Sequence, residues 1–218
     1  RTFAEIPNKN AIPVLLDEWE KRNGWLRLHI AYALSAITGK QRGRTPEEWR
    51  KWWQKAKAEF EVDAAASEAY RRENNVQDVD IPSHGYFYGL QIYSTRLVYV
   101  VDTSLSMKGD RIKSLRENLA LSLKSLEPED RRRGYRRHQD RIKYNIVDFG
   151  GDVIPMDADE LTDDIDDGID RAQEMPMTLG TRTYDAIERA LVFEETDTLY
   201  LLTDGAPALA LGMEKGDP

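Results

Sequence analysis

The chain predicts an α/β fold: a doubly wound, mostly parallel sheet preceded by a small all-α segment. Three observations predict it. The first sixty residues carry apolar side chains at helical spacing. From Leu97 onward, short apolar runs alternate with amphipathic stretches. Two of those runs end on polar loops, Asp102-Thr103-Ser104-Leu105-Ser106 and Thr203-Asp204-Gly205. Strands that alternate with helices imply a mostly parallel sheet covered on both faces.

The elements follow in chain order. Ile12, Leu15, Leu16 and Trp19 form one helical stripe. Leu26, Ile30, Ala33, Leu34 and Ile37 form a second, closed by Gly39 where helices commonly turn left-handed. A third helix starts at Thr45-Pro46-Glu47-Glu48, where Thr can cap, Pro suits the first turn and Glu48 stands at the capping-box position. Its stripe is Trp49, Trp52, Trp53, Ala56 and Phe60, a face that must pack against something. From Glu61 the chain turns polar and reads as a connector. Leu97 to Val101 then forms a buried strand, and Ile112, Leu115, Leu119, Leu123 and Leu126 mark an amphipathic helix. Tyr144–Phe149 and Val153–Met156 read as a strand pair around Gly150-Gly151. Ala186, Ile187, Ala190, Leu191 and Phe193 give another helix, and Thr198–Thr203 another strand. The expected organisation is a helical segment over 1–60, a connector over 61–85 and an α/β domain over 86–218.

Composition bounds the function. The 218 residues, 40% hydrophobic and 32% charged, bury one ordinary core and a small second one. No stretch approaches the roughly 18 consecutive apolar residues of a membrane helix, so no membrane segment is expected. A formal charge of −8 disfavours general nucleic-acid binding. The absence of cysteine excludes disulfides, thiolate metal sites and Cys nucleophiles. The chain starts at Arg1 without an initiator Met and ends soon after its last strand. It therefore reads as an internal fragment or processed form whose sheet is incomplete at the C-terminal end.

In a doubly wound sheet, ligands sit at the carboxyl ends of the strands, where the strand order reverses. Asp102 and Asp204 occupy two such ends. If their strands are neighbours, both carboxylates converge with Ser104 and Ser106. An all-oxygen set without sulfur or imidazole suits Mg²⁺, Mn²⁺ or Ca²⁺ and argues against zinc.

Asp102-Thr103-Ser104-Leu105-Ser106 resembles the D-x-S-x-S motif of the von Willebrand factor type A (VWA) domain. Gly180-Thr181-Arg182-Thr183 is similar to the loop carrying that family's ligand threonine, and Leu202-Thr203-Asp204-Gly205 to its last acidic loop. The resemblance covers roughly 93–218 and implies a Rossmann-like fold with a metal-ion-dependent adhesion site. It implies hydroxyl ligands from Ser104, Ser106 and Thr181, and Asp102 and Asp204 holding the ion directly or through water. Two carboxylates neutralise a divalent ion and hydroxyls add no charge, so an open position would accept an Asp or Glu carboxylate from a protein partner. No base or activated nucleophile accompanies the set, so the expectation is a binding module, not an enzyme. Leu105 stands where many members of the family have Gly. Ala33-Leu34-Ser35-Ala36-Ile37-Thr38-Gly39, Gly43, Trp49 and Trp52-Trp53 together resemble the terminal unit of HEAT-type helical repeats.

Two other readings stay open: a Mg²⁺-dependent phosphotransferase of the haloacid dehalogenase type, which also begins on a strand-terminal Asp, and a scaffold with a vestigial site. The first expects a second Asp where this chain has Ser104. The basic run Arg131-Arg132-Arg133-Gly134-Tyr135-Arg136-Arg137-His138 reads as a solvated loop, balanced by the acidic run between Asp157 and Asp170. That acidic run lacks calcium-loop spacing. His29, His84 and His138 have no partner histidine at metal spacing, and no Walker loop, G-x-G-x-x-G or G-x-S-x-G is present.

Overall fold

A computed structural model describes residues 7–126 and 141–205. The arginine run 131–138, including His138, lies outside the described residues. The chain divides into two compact units, Arg1–Ser83 and His84–Pro218. Together the described residues form a mixed α/β structure with seven α-helices and a mostly parallel four-stranded sheet.

The first unit holds α1 (Ala11–Lys21), α2 (Trp25–Thr38), α3 (Pro46–Ala56) and α4 (Ala64–Glu73). Ile12, Leu15, Leu16 and Trp19 of α1 are buried. The second stripe shifts: Leu26 is 47% exposed, while Leu28, Ile30, Ala31, Ala33, Leu34, Ala36 and Ile37 are buried. α2 is the central helix here, covered on more than one side, so no narrow stripe marks its inner face. It ends at Gly39, whose φ of 73° is the left-handed conformation that glycine adopts without strain. α3 begins as its sequence requires, with Thr45 Oγ1 accepting from Glu48 N. The Glu48 carboxylate, however, accepts from Arg44 N at 2.7 Å, one residue before the cap. Trp49 is buried and donates to Gly43 O; Trp52, Trp53 and Phe60 are half-buried and pack edge-on.

The polar stretch 61–85 is structured. Asp63 caps α4, accepting from Ala65 N and Ala66 N. α4 meets α2 through small residues: Ser67 Oγ donates to Ala36 O, and a Cβ on Gly39 would stand 2.7 Å from Ala66 Cβ. Such contacts leave no apolar stripe, which is why the composition reads as a connector.

The second unit opens with a hairpin that the sequence pattern did not reveal, β1 (Gly85–Phe87) and β2 (Leu90–Ile92). Its two-residue turn, Tyr88-Gly89, has φ of 48° and 80°. These are the paired positive values of a type I′ turn. Then follow β3 (Arg96–Asp102), α5 (Asp110–Leu126), β4 (Lys143–Phe149), β5 (Val153–Pro155), α6 (Ile165–Glu174), α7 (Thr183–Leu191) and β6 (Thr198–Leu202). The sheet order is β5-β4-β3-β6, with β3 parallel to both β4 and β6 and β5 antiparallel to β4.

Strand alternation divides β3 between two cores. Leu97, Tyr99 and Val101 join α5 and α6 residues such as Leu115, Leu119 and Ala172. Val98 and Val100 join Ala186 and Ala190 of α7 with Phe193. Helices therefore cover both faces, and a strand buried on both faces must read as an unbroken apolar run. The acidic run is spent on local structure: Asp157 accepts from Asp159 N and Glu160 N, and Asp164 caps α6 through Asp167 N. Those backbone donors hold the Asp157 carboxyl below the usual carboxylate range.

Candidate metal centre

The order β4-β3-β6 places the reversal of strand order at β3, and the polar loops collect at its carboxyl end. The register pairs Val101 with Leu202, so Asp102 ends β3 level with Thr203. Thr203 Oγ1 donates to Asp102 Oδ2 at 2.6 Å. Ser104 N donates to Asp102 Oδ1 at 2.8 Å. Ser104 Oγ and Ser106 Oγ are hydrogen-bonded at 2.9 Å, and Ser106 Oγ donates to Asp204 Oδ1 at 2.8 Å. Because Asp204 follows Thr203 in the chain, these contacts close a ring from Asp102 back to Asp102.

The loop after β3 is held from two sides. Thr103 N donates to Phe149 O at the end of β4, and Thr103 O accepts from Thr178 N. Thr178 belongs to the segment that carries Thr181, and its hydroxyl accepts from Gly151 N. Arg182 N donates to Gly150 O, and a Cβ on Gly180 would lie 3.0 Å from Gly151 Cα. Thr181 thus sits at the same end of the sheet, half-buried. Among the described residues its side chain makes no hydrogen bond to the ring. Four of the five expected residues, Asp102, Ser104, Ser106 and Asp204, are linked directly; Thr181 adjoins them through Thr178 and Thr103.

The electrostatics separate the two carboxylates. Asp102 is 0% exposed, and among the described residues no cationic side chain pairs with it. A buried carboxylate is costly unless a cation or several donors compensate it. The Asp204 side chain is 13% exposed and forms an ion pair with Arg111, which also donates to Ser106 O at 3.2 Å. Arg111 stands in the first turn of α5, a position that apolar periodicity cannot single out. Thr203 was legible only as part of the loop motif, not as the donor that joins β6 to Asp102.

The side chains gathered here, carboxylates and hydroxyls, are all oxygen, the chemistry that hard divalent cations take. The Ser104–Ser106 and Ser106–Asp204 oxygens stand at the 2.9 and 2.8 Å of ordinary hydrogen bonds. Among the described residues no group of three or more His, Cys, Asp or Glu side chains is arranged to hold a metal; the ring contributes two carboxylates and fills the rest with hydroxyls.

Leu105 lies within the ring's loop and is 48% exposed. The flanking serines keep their hydrogen bonds to each other and to Asp204. His29 is exposed, and His84 N donates to Ile92 O beside the hairpin. No helix among the described residues is long and apolar enough to cross a membrane. Compared with known proteins, the chain matches no protein-family model and no curated protein.

Proposed function

We propose that the second unit is a divalent-cation-dependent protein-binding module of the VWA kind, in which a partner's Asp or Glu carboxylate completes the shell of a bound Mg²⁺ or Mn²⁺. The observation that carries this reading is Asp102: a fully buried carboxylate with no cation beside it, linked through Ser104, Ser106 and Thr203 to a second carboxylate, Asp204. Ser104 and Ser106 would hold the ion through their hydroxyls, Asp102 and Asp204 directly or through water, and Thr181 after a small loop movement. The ion supplies a positive centre with an open position. Asp102 has both oxygens engaged, by Ser104 N and Thr203 Oγ1, which favours a structural carboxylate over a nucleophile. The helices of the first unit, in this reading, are the end of a HEAT-like array that offers a second protein surface.

The test is titration of Mg²⁺ or Mn²⁺ into the protein and into Asp102→Ala by calorimetry and thermal melting. The wild type is expected to release heat and gain about 2.7 kcal/mol at a hundred times Kd, with the variant unresponsive. Identical behaviour of the two would overturn the reading. Hydrolysis of an aryl phosphate by the wild type would favour the phosphotransferase instead.

A further inference from the structure

A groove of about 350 Å³ runs beside the ring, within the second unit. Asp204, Arg111, Met107, Leu202, Tyr88 and Ser114 are among the residues that line it. Its size lies at the low end of small-ligand pockets, roughly 300–1,000 Å³, which is room for one large side chain.

Tyr88 is the unusual part. It has φ of 48°, a conformation that bulky residues rarely adopt. Asn or Gly serves the first position of a type I′ turn at lower conformational cost. Tyr in that place gives up turn stability, and the return is a ring on the groove, 41% exposed and steadied by a 3.3 Å hydrogen bond between its hydroxyl and Ser114 Oγ. Strain that the surroundings maintain is a marker of function.

The ion and the apolar lining together select the occupant. A divalent ion would be neutralised by Asp102 and Asp204, and Arg111 and Asp110, which both line the groove, offset one another. The preference for an acidic group therefore rests on the ion's open position, and Met107, Leu202 and the Tyr88 ring give the groove beside it an apolar lining. Asp110 in that lining disfavours a second acidic residue there.

Resting on the carboxylate-binding reading above, we propose that the partner is a protein segment in which the metal-binding Glu or Asp is directly followed by a large apolar or aromatic residue, seated between Tyr88 and Met107. The second residue makes the site selective among the many acidic segments that the ion alone would accept.

The experiment uses two blocked hexapeptides, Gly-Ser-Glu-Phe-Ser-Gly and Gly-Ser-Glu-Ala-Ser-Gly, titrated into the full chain in saturating Mg²⁺ and followed by amide NMR. The Phe peptide is expected to bind about tenfold more tightly, the effect of burying most of one aromatic ring, and to shift Tyr88, Ser114 and Leu202. Tyr88→Gly relieves the turn, so it keeps the fold and Mg²⁺ affinity and abolishes the preference. Ser114→Phe fills the groove and does the same by an independent route. Equal affinities for two peptides that both need Mg²⁺, or a preference that survives both variants, overturns this inference alone. Failure of both peptides to bind, or of Mg²⁺ itself, overturns the carboxylate reading and this inference with it. Concentration-dependent shifts at Tyr88 and Ser114 without peptide assign the groove to a second copy of the chain, and also overturn it.

Discussion

Thr203, the first residue after β6, donates its hydroxyl to Oδ2 of Asp102, the last residue of β3, at 2.6 Å. This bond joins two loops 101 residues apart and turns two strand ends into one site. Its removal has a direct consequence. Thr203→Val keeps the side-chain shape and leaves a buried carboxylate oxygen without its donor, at a cost of about 1–3 kcal/mol. Thermal melts in chelator are expected to show the full loss, and, under the proposed function, melts in Mg²⁺ a smaller one, because a bound ion would take over the compensation of Asp102.

Arg111 pairs with Asp204 and donates to Ser106 O, so under the proposed function it would compete with the ion for Asp204. Its side chain is 62% exposed, so the pair is worth about 0–1 kcal/mol. Arg111→Gln is therefore expected to bind Mn²⁺ up to about fivefold more tightly. The same variant loses a positive charge beside the proposed ion site and is expected to bind a carboxylate peptide more weakly. Calorimetry of both ligands checks the opposite signs; a loss of Mn²⁺ affinity would mean that Arg111 orients Asp204 for the ion.

Gly168 in α6 has no room for a side chain. A Cβ there would meet the Tyr144 hydroxyl at 1.8 Å and its ring carbon Cζ at 2.7 Å. Gly168→Ala, which in an exposed helix interior stabilises, is here expected to cost about 1–3 kcal/mol by overpacking. Tyr144→Phe combined with it should recover part of the loss, and urea unfolding of the three proteins measures it.

Asp148 on β4 is buried and paired with Arg171 of α6. Burial raises its carboxyl above the ordinary value, against the pull of the guanidinium. A folded-state pKa above the unfolded one means that the fold takes up this proton more readily. The contribution is then complete below the unfolded value, about 4, and is lost as pH rises through the folded value. Relative to Asp148→Asn, the wild type should gain stability as pH falls from neutral toward about 4. Paired urea melts across that range check the sign; a wild type that loses stability relative to Asp148→Asn on acidification would show that Arg171 outweighs desolvation.

Much of the second unit was readable from its residues because burial on both faces leaves a plain mark. The Leu97–Val101 run became β3, the Ile112–Leu126 stripe became α5, and the Tyr144–Met156 pair became β4 and β5. The hairpin was not readable, since its strands have three residues each and its turn carries Tyr in place of the usual Asn. α4 escaped for a different reason: Ala66 and Ser67 pack by being small, and small residues carry no hydrophobic period. At the site, the oxygen-bearing residues were evident from their places at strand ends. Arg111 and the bridging role of Thr203 were not, because each acts on a partner about a hundred residues away.

By itself the sequence determined the local chemistry: which strands end on carboxylates and hydroxyls, where α3 is capped and α2 turns out at Gly39, and that the side chains at those strand ends offer only oxygen. Those properties depend on neighbours within a few residues. Only the tertiary structure decided that β6 lies against β3 rather than elsewhere in the sheet, that Asp102 is buried without a cation while Asp204 has Arg111, and that Tyr88 stands over a groove beside them. Strand order and cross-chain pairing arise from which faces the helices cover, a property of the packed whole that no short stretch of residues encodes.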